Sequence, residues 1–297
     1  MFETELAHTE KRMKKSELLK ELLSGLGSLA VAFSGGVDST FLLRMAREAL
    51  GDKAVAITAV SDFFPARERS EAADFCAAHG IRQLVVPVRA CEIEGFAENP
   101  RDRCYLCKKS LFRKFLDTAA AAGIPWVAEG SNLDDTGDYR PGLRAIEELG
   151  IRSPLREVGL TKAEIRELSR DLELPTWDKP SYACLASRFP YGETITPEKL
   201  GMVDRAEQLL LELGFRQHRV RIHGAVARIE LLPEDFPRLM EPEIRQRVYD
   251  SLRADGFAYV TLDLRGYRTG SMNELLTEQE KKQYTPGSAD QTGNQTL

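Results

Sequence analysis

A strand pattern, a glycine pair and a helix pattern follow one another over residues 29–49, and this order constrains the fold more than any other feature of the chain. Residues 29–33 are apolar throughout, which predicts a strand covered on both faces, and apolar residues recur at helical spacing over residues 37–49. Gly35 and Gly36 carry no Cβ, so the backbone between the two elements can turn sharply and approach a ligand. Because free amides and the helix dipole favour an anion there, the pattern predicts a phosphate site.

The loop differs from the GxxxxGK[ST] nucleotide loop, because no lysine follows the second glycine. A glycine pair after a strand can also be a plain turn, with Asp38 and Ser39 as ordinary first-turn residues. The motif SGGVDS nevertheless resembles the pyrophosphate loop of the PP-loop ATP pyrophosphatases, which cleave ATP between the α and β phosphates and adenylate a substrate. The resemblance implies ATP and Mg²⁺ as ligands of this loop. It assigns the pyrophosphate to Ser34, Gly35, Gly36 and Ser39, and part of the Mg²⁺ site to Asp38.

Strand and helix patterns alternate through the first part of the chain, which is typical of a parallel sheet with helices on both faces. After residues 29–49, this alternation predicts strands at 53–60, 82–88 and 124–129, and helices at 65–78, 111–122 and 161–172. The last helix begins with a capping box of Thr161 and Glu164. The expected fold class is therefore α/β, a doubly wound and mainly parallel sheet, with ligands beyond the carboxyl ends of the strands.

A polar segment follows the predicted strand at 124–129, where a ligand loop of this sheet would lie. The same residue types dominate ordinary turns, so a plain polar turn is the alternative. With the glycine loop upstream and the sequence DYRPG at 138–142, the segment resembles the second nucleotide loop of the PP-loop group. Its candidate nucleotide-binding residues are Gly130, Asn132 and Asp135.

The pattern changes near residues 191–196, and this change predicts a domain boundary. A nucleotide domain is expected at 1–192 and a smaller C-terminal α+β domain at 193–284, with helices near 197–213 and 242–253 and strands at 215–222, 225–232 and 257–262. The polar tail at 285–297 has a composition typical of disorder.

Length and composition agree with a soluble enzyme of the cytoplasm. The 297 residues carry a net charge of −5, which argues against a large nucleic-acid footprint. We expect no membrane partner, because no stretch is long and apolar enough to span a bilayer. The charged first residues lack the apolar region of a secretion signal, and five cysteines without a secretory context favour metal or catalytic roles over disulfides.

A second informative segment is KPSYACLASRFPYG at 179–192, where Pro180 and Pro190 enclose an irregular stretch. Cys184 lies close in sequence to Arg188, and a nearby cation favours the thiolate. A buried structural cysteine is the alternative, since a free cysteine behaves as a small hydrophobe.

Four segments in this order resemble the LarE family: SGGVDS, EGSNLDD, SPLREVGLTKAEIR and KPSYACLASRFPYG. The family consists of ATP-dependent sulfur transferases of the nickel-pincer nucleotide pathway, and the resemblance covers about residues 14–282. It implies that the chain adenylates a carboxylate of pyridinium-3,5-biscarboxylic acid mononucleotide and then forms a thiocarboxylate at that carbon. The finished cofactor would serve lactate racemase and related enzymes, and the family's habit of assembly implies a homo-oligomer.

The same resemblance places the substrate phosphate on Arg219 and Arg221. Their i, i+2 spacing puts both guanidinium groups on one strand face, where forked donors suit a phosphate. A solvated strand face is the competing interpretation. Further candidates for the same cavity are Ser187, Arg188, Glu207 and Glu230, the first two with a catalytic role beside Cys184.

The cysteines leave the sulfur source open. In some family members the cysteine that matches Cys184 gives up its own sulfur, whereas members with three cysteines are associated with a [4Fe-4S] cluster. Here RCYLC supplies Cys104 and Cys107 as further thiols, so the resemblance implies a cluster on Cys104, Cys107 and Cys184. Zinc binding and redox chemistry remain alternatives, because thiolates also bind Zn²⁺ and a CxxC can be a redox pair. Cys76 and Cys91 are predicted to be structural.

Three other functions compete with sulfur transfer to a small molecule. A PP-loop tRNA thiolation enzyme can also combine the glycine loop with a CxxC and a later cysteine, although no RNA module is recognisable here. Amide-forming relatives such as NAD synthetases need no cysteine triad. A nucleotide-binding protein without turnover is the third alternative.

Overall fold

Two sheets organise the chain in the computed structural model, which describes residues 2–137, 141–180, 183–274, 276, 277 and 279. The predictions for 138–140, for Ser181 and Tyr182 and for the tail at 285–297 lie outside the described residues. The helices are α1 Phe2–Ser24, α2 Val37–Leu50, α3 Ala66–Ala78, α4 Arg103–Ala121, α5 Gly142–Glu148, α6 Pro154–Glu157, α7 Lys162–Asp171, α8 Pro197–Glu212, α9 Phe236–Leu239 and α10 Pro242–Ala254. The strands are β1 Leu29–Ala32, β2 Ala54–Val60, β3 Gln83–Pro87, β4 Val127–Ala128, β5 His218–His223, β6 Val226–Leu231 and β7 Tyr259–Leu262.

The first sheet is parallel and has the strand order β3-β2-β1-β4. Residue 29 pairs with residue 54, and residue 30 pairs with residue 127, so the predicted strands lie side by side. All four strands run in one direction, which brings their carboxyl ends to the same edge of the sheet. The predicted α/β fold with a mainly parallel sheet is confirmed.

Helices cover this sheet on both faces, because alternate strand residues point to opposite sides. On one face, Val31 and Ala56 pack with residues of α1, α2 and α7, among them Phe41 and Ile165. On the other face, Ile57 belongs to a second buried cluster that includes residues of α4. Two separate cores on the two faces are what a doubly wound sheet requires.

The second sheet contains β5, β6 and β7, with β5 antiparallel to β6 and β6 parallel to β7. The helices α8 and α10 pack on it, and α8 begins at a cap in which the Thr196 hydroxyl accepts a hydrogen bond from the Lys199 amide. The buried cluster that contains Ile57 continues into this sheet through Val220 and Leu252. The division into 1–192 and 193–284 stays a prediction.

Two parts of the fold differ from the sequence-based expectations. Helix α1 has no predicted counterpart, because its charged residues show no clear apolar face; Lys15 anchors it through an ion pair of 2.7 Å with Glu164. Helix α4 begins at Arg103 and not at Leu111, so the CxxC lies in its first turns. The predicted capping box of Thr161 is confirmed. Among the described residues, none of the helices has the length and apolar character needed to cross a membrane.

Candidate active site

The glycine loop lies at the carboxyl end of β1 and leads directly into α2. Gly35 has φ +71°, a left-handed conformation that glycine adopts without strain, and Gly36 is the N-terminal cap of α2. The hydroxyl oxygens of Ser34 and Ser39 lie 3.2 Å apart, and the Ser39 hydroxyl also lies 3.2 Å from the Gly36 carbonyl oxygen. The loop therefore brings two hydroxyls to the positive end of a helix, as a phosphate site requires.

The second polar loop meets the glycine loop in space, as the sequence predicted. The Asn132 side-chain amide donates a hydrogen bond of 3.3 Å to the Asp38 carboxylate, and the Asp135 carboxylate accepts one of 3.0 Å from the Asn132 backbone amide. A Cβ added at Gly130 would lie 3.0 Å from the Ser39 backbone nitrogen. Only a glycine therefore allows the two loops to approach so closely.

Replacing Gly130 with alanine is therefore expected to weaken ATP binding. The added methyl would push the backbone of Ser39 away, and such overpacking costs about 1–3 kcal/mol, so KM for ATP should rise about tenfold. Gly25→Ala is the matched control, because a Cβ at Gly25 meets nothing closer than 3.5 Å. Equal KM values for the two variants, measured by pyrophosphate release, would contradict this interpretation of the contact.

Two lysines approach the glycine loop that sequence reasoning did not assign to the site. The Lys162 ammonium forms an ion pair of 2.5 Å with the Asp38 carboxylate. The Lys179 ammonium donates to the Gly35 carbonyl oxygen at 3.0 Å and pairs with the Glu71 carboxylate. Lys162 follows the capping threonine of α7, and Lys179 is the first residue of the KPSYAC segment. Both lysines therefore belong to motifs from which a role in the site could have been predicted. Both can supply positive charge beside a bound phosphate.

A further residue that sequence reasoning missed is Glu68 on α3, whose backbone oxygen faces Gly35. Burial raises the pKa of the Glu68 carboxyl to about 7, against the opposing effect of the positive charge on Lys179. The charge on Arg188 also acts on Glu68, although more weakly. Glu68 therefore lies between the glycine loop and the segment that carries Cys184.

The three predicted site cysteines are Cys104 and Cys107, in the first turns of α4, and Cys184, in the segment that Arg103 binds through the Ala186 carbonyl oxygen. Each is a partly buried free thiol, and burial raises the pKa values of Cys107 and Cys184, with further raising by the charge of Cys104. Arg103 and Arg188 oppose this shift at Cys184, so the predicted effect of a nearby cation is present but smaller than that of burial. The donor chemistry suits a soft metal centre. Within the described part of the chain, however, no three side chains stand in a metal-binding arrangement.

Arg188 is completely buried beside the Cys184 segment. Its guanidinium donates two hydrogen bonds to the Glu207 carboxylate, at 2.8 and 2.7 Å, and further ones to the Cys184 carbonyl oxygen and the Ser187 hydroxyl. Burial acts to raise the pKa of Glu207, but the charge and hydrogen bonds of Arg188, together with the charges of His218 and Arg219, outweigh it and lower the pKa to about 2. Arg188 therefore fixes the backbone beside Cys184.

Arg219 and Arg221 on β5 are buried, so the alternative of a solvated strand face is wrong. Arg221 pairs with the Glu230 carboxylate at 3.0 Å and donates a hydrogen bond of 2.8 Å to the Ser187 carbonyl oxygen. Burial and then the charge of Arg188 lower the pKa of Arg219 to about 10. Mutual repulsion between these buried cations would be relieved by a bound anion.

The two acidic residues predicted for the site, Glu207 and Glu230, each pair with a buried arginine. Glu207 pairs with Arg188, and Glu230 pairs with Arg221 and with Arg228. A carboxylate repels a phosphate, so both acids can contribute to phosphate binding only by orienting their guanidinium partners.

Comparison with known proteins returns no match to a family model. An uncharacterised protein of Synechocystis is 43% identical over 264 residues, which cover 89% of this chain and 98% of that protein. The pyridinium-3,5-bisthiocarboxylic acid mononucleotide synthase of Lactiplantibacillus plantarum is 38% identical over 265 residues, covering 89% of this chain and 95% of the synthase. A glutamine-hydrolysing GMP synthase component from Archaeoglobus fulgidus is 23% identical over 206 residues, covering 63% of this chain and 65% of that protein.

Proposed function

The chain belongs to the LarE family of pyridinium-3,5-bisthiocarboxylic acid mononucleotide synthases, and on that premise we propose that it makes this product by ATP-dependent sulfur transfer. Its substrate is then pyridinium-3,5-biscarboxylic acid mononucleotide, whose carboxylates become thiocarboxylates for the nickel-pincer cofactor. The glycine loop agrees with this assignment, as does the similarity to GMP synthase, a PP-loop ATP pyrophosphatase.

One observation carries the proposal: the glycine loop adjoins the pocket of Cys184. Lys179 contacts the Gly35 carbonyl oxygen, and the charges of both Lys179 and Arg188 act on Glu68. Arg188 in turn donates to the Cys184 carbonyl oxygen at 3.1 Å. An acid activated at the loop would therefore form next to a sulfur atom, which a non-catalytic nucleotide-binding protein does not need.

The first chemical step activates the acid. A carboxylate oxygen of the substrate attacks the α phosphorus of ATP, the bond between the α and β phosphates breaks, and pyrophosphate leaves. Ser34, Ser39 and the loop amides stabilise the charge of the leaving pyrophosphate, and Asp38 helps to hold Mg²⁺. Arg219 and Arg221 bind the substrate's phosphate group.

The second step exchanges oxygen for sulfur. A sulfur nucleophile in the pocket attacks the acyl carbon, and AMP leaves with the carboxylate oxygen that had attacked phosphorus. If the sulfur is that of Cys184 itself, a base then takes the Cα proton, the Cβ–Sγ bond breaks, the thiocarboxylate leaves with the sulfur and the residue becomes dehydroalanine.

We further propose that Cys104, Cys107 and Cys184 bind a [4Fe-4S] cluster. The donor chemistry supports this, because three free thiols occupy the predicted positions and soft thiolates suit iron–sulfur centres, although the described side chains do not themselves stand in a metal-binding arrangement. With three protein ligands one iron keeps an open position, and the bound cluster would supply the sulfide there.

The assignment of substrate is tested by pyrophosphate release with two candidate acceptors and with no acceptor. We expect release with ATP and pyridinium-3,5-biscarboxylic acid mononucleotide, and background rates with ATP and tRNA or with ATP alone. Release with tRNA would instead support a tRNA thiolation enzyme. No release with any acceptor would support a nucleotide-binding protein without turnover.

Asp38→Asn is expected to lower kcat for pyrophosphate release by about a hundredfold, the loss typical of removing one group that stabilises transition-state charge. The amide keeps the side chain's size but removes the negative charge that Mg²⁺ requires. Asp74→Asn, at an exposed position of α3, is the matched control and should keep the full rate. A rate equal to that of the control would remove Asp38 from the metal site.

Iron and sulfide analysis after anaerobic purification tests the cluster. We expect a coloured protein with iron and acid-labile sulfide, and loss of both in Cys104→Ala or Cys107→Ala. A colourless protein without iron after reconstitution, which loses the mass of one sulfur per turnover, would instead assign the sulfur to Cys184. Assembly into homo-oligomers and a cytoplasmic location stay predictions.

A further inference from the structure

Two side chains join the start of α4 to the segment that carries Cys184. The Asn99 side-chain amide donates hydrogen bonds to the carbonyl oxygens of Phe189, at 3.3 Å, and Pro190, at 2.6 Å. The Arg103 guanidinium donates to the Ala186 carbonyl oxygen at 2.9 Å and also to the side-chain oxygen of Asn99. The CxxC turn and the Cys184 segment are thus held together from the α4 side.

The backbone of Asn99 shows that this position is specialised. Asn99 has φ +52°, one of few described residues other than glycine with a left-handed backbone, and it is fully buried. Its carbonyl oxygen accepts a further hydrogen bond of 2.9 Å from the Gly192 amide. Such a conformation costs energy and persists where the surrounding contacts require it.

Arg103 carries a positive charge into the thiol pocket. The residue is 3% exposed, and within the described ranges its guanidinium donates only to uncharged oxygens and to the sulfur of Cys104, at 4.0 Å. The guanidinium also lies over the Tyr191 ring, with its Cζ 5.8 Å from the ring centroid. A cation buried among such uncharged partners can stabilise a nearby sulfur atom that becomes anionic during transfer.

We propose that Arg103, oriented by Asn99, is a positioning residue for the sulfur-transfer step: it holds the Cys184 segment against the CxxC turn and places a positive charge beside the sulfur that becomes anionic during transfer. This inference rests on the proposed function, because it assigns Arg103 to the second step of that reaction. Arg188 instead binds the carbonyl oxygens of Ala183 and Cys184, and its own charge is already matched by Glu207.

A role of Arg103 in the second step alone means that its loss should affect sulfur transfer but not adenylation. Arg103 contacts Asn99, Ala186 and Cys104, and in the described part of the chain none of its hydrogen bonds reaches the glycine loop. Loss of its charge should therefore leave adenylation unchanged and slow sulfur transfer. A defect of folding would slow both steps together.

The test uses the full chain with Arg103→Gln, Arg103→Lys and the control Arg113→Gln, which removes an exposed arginine from the same helix. Single-turnover assays measure pyrophosphate release and thiocarboxylate formation separately. We expect Arg103→Gln to slow thiocarboxylate formation by about tenfold to a hundredfold, the effect of a lost charged hydrogen bond. Arg103→Lys should recover part of the rate, because it keeps the charge but not the forked geometry.

A second readout needs no activity. Dibromobimane becomes fluorescent when it bridges two neighbouring thiols, and in iron-free protein we expect bridging to fall in Arg103→Gln and to stay unchanged in Arg113→Gln. Equal bridging and equal thiocarboxylate formation in both variants would overturn the proposal. Equal losses of pyrophosphate release and thiocarboxylate formation in Arg103→Gln would also overturn the proposal, because they would indicate a folding defect. If the unchanged protein releases no pyrophosphate with its substrate, the proposed function itself fails.

Discussion

Cys184→Ala is expected to lower thiocarboxylate formation by about a thousandfold or more, because the pocket loses the sulfur that lies beside the activated acid. This holds whether Cys184 donates its own sulfur or binds the cluster. Adenylation should persist, since the groups that bind ATP belong to the glycine loop and to the loop of Asn132. Mass spectrometry of the product and a pyrophosphate assay measure the two steps.

Cys91→Ala is the control for this prediction, because Cys91 is exposed and lies apart from the site cysteines in sequence. It should keep both steps at full rate. Thiocarboxylate formation by Cys184→Ala at the rate of the control would show that the sulfur comes from elsewhere.

Arg188→Met is expected to destabilise the fold by about 3–5 kcal/mol, the cost of leaving one partner of a buried ion pair uncompensated. Glu207 would keep its burial and lose the cation that now pairs with it. The carbonyl oxygens of Ala183 and Cys184 would lose a donor as well. Urea denaturation at pH 7 measures the change in the free energy of unfolding.

The pair of Arg188 and Glu207 should also make the free energy of unfolding depend on pH. Arg188 holds the folded-state pKa of Glu207 at about 2, below the value of about 4.3 expected for an unfolded chain. Glu207 therefore contributes stability that is complete above pH ~4.3 and is lost as the pH falls towards ~2. In Arg188→Met this contribution should disappear, and acidification over that range should no longer lower stability through Glu207.

Two variants complete the Arg188 test. Arg188→Met combined with Glu207→Leu should recover part of the stability, because no buried charge then lacks a partner. Arg216→Met, which removes an exposed arginine, should change the free energy of unfolding by less than about 0.5 kcal/mol. An Arg188→Met protein as stable as Arg216→Met would contradict the described ion pair.

The sequence sufficed for the parts of the fold where local pattern and tertiary structure agree. The apolar run at 29–33 forms a central strand because both of its faces are covered, and the glycines after it form the turn that their missing Cβ permits. The capping box of Thr161 is a local contact, so its prediction from sequence was reliable. Helix α1 lacked such a signal, because its stability depends on ion pairs with distant residues such as Glu164.

The site was harder to predict, since its contacts join segments that are far apart in sequence. Asp38 and Asn132 carry recognisable motifs, and the structure brings them together. No local sequence pattern predicted the contact of Lys179 with the Gly35 carbonyl oxygen or the burial of Arg188 against Glu207. Such pairs are determined by the packing of whole elements, which a single sequence does not specify.

Oxygen transfer from the substrate to AMP tests the central claim most directly. The substrate's carboxylates are labelled with ¹⁸O, the protein is given ATP and Mg²⁺, and the AMP is analysed by mass spectrometry. Since the carboxylate oxygen attacks the α phosphorus and leaves with it, we predict one ¹⁸O atom in AMP for each thiocarboxylate formed. Thiocarboxylate formed together with unlabelled AMP would contradict activation by adenylation.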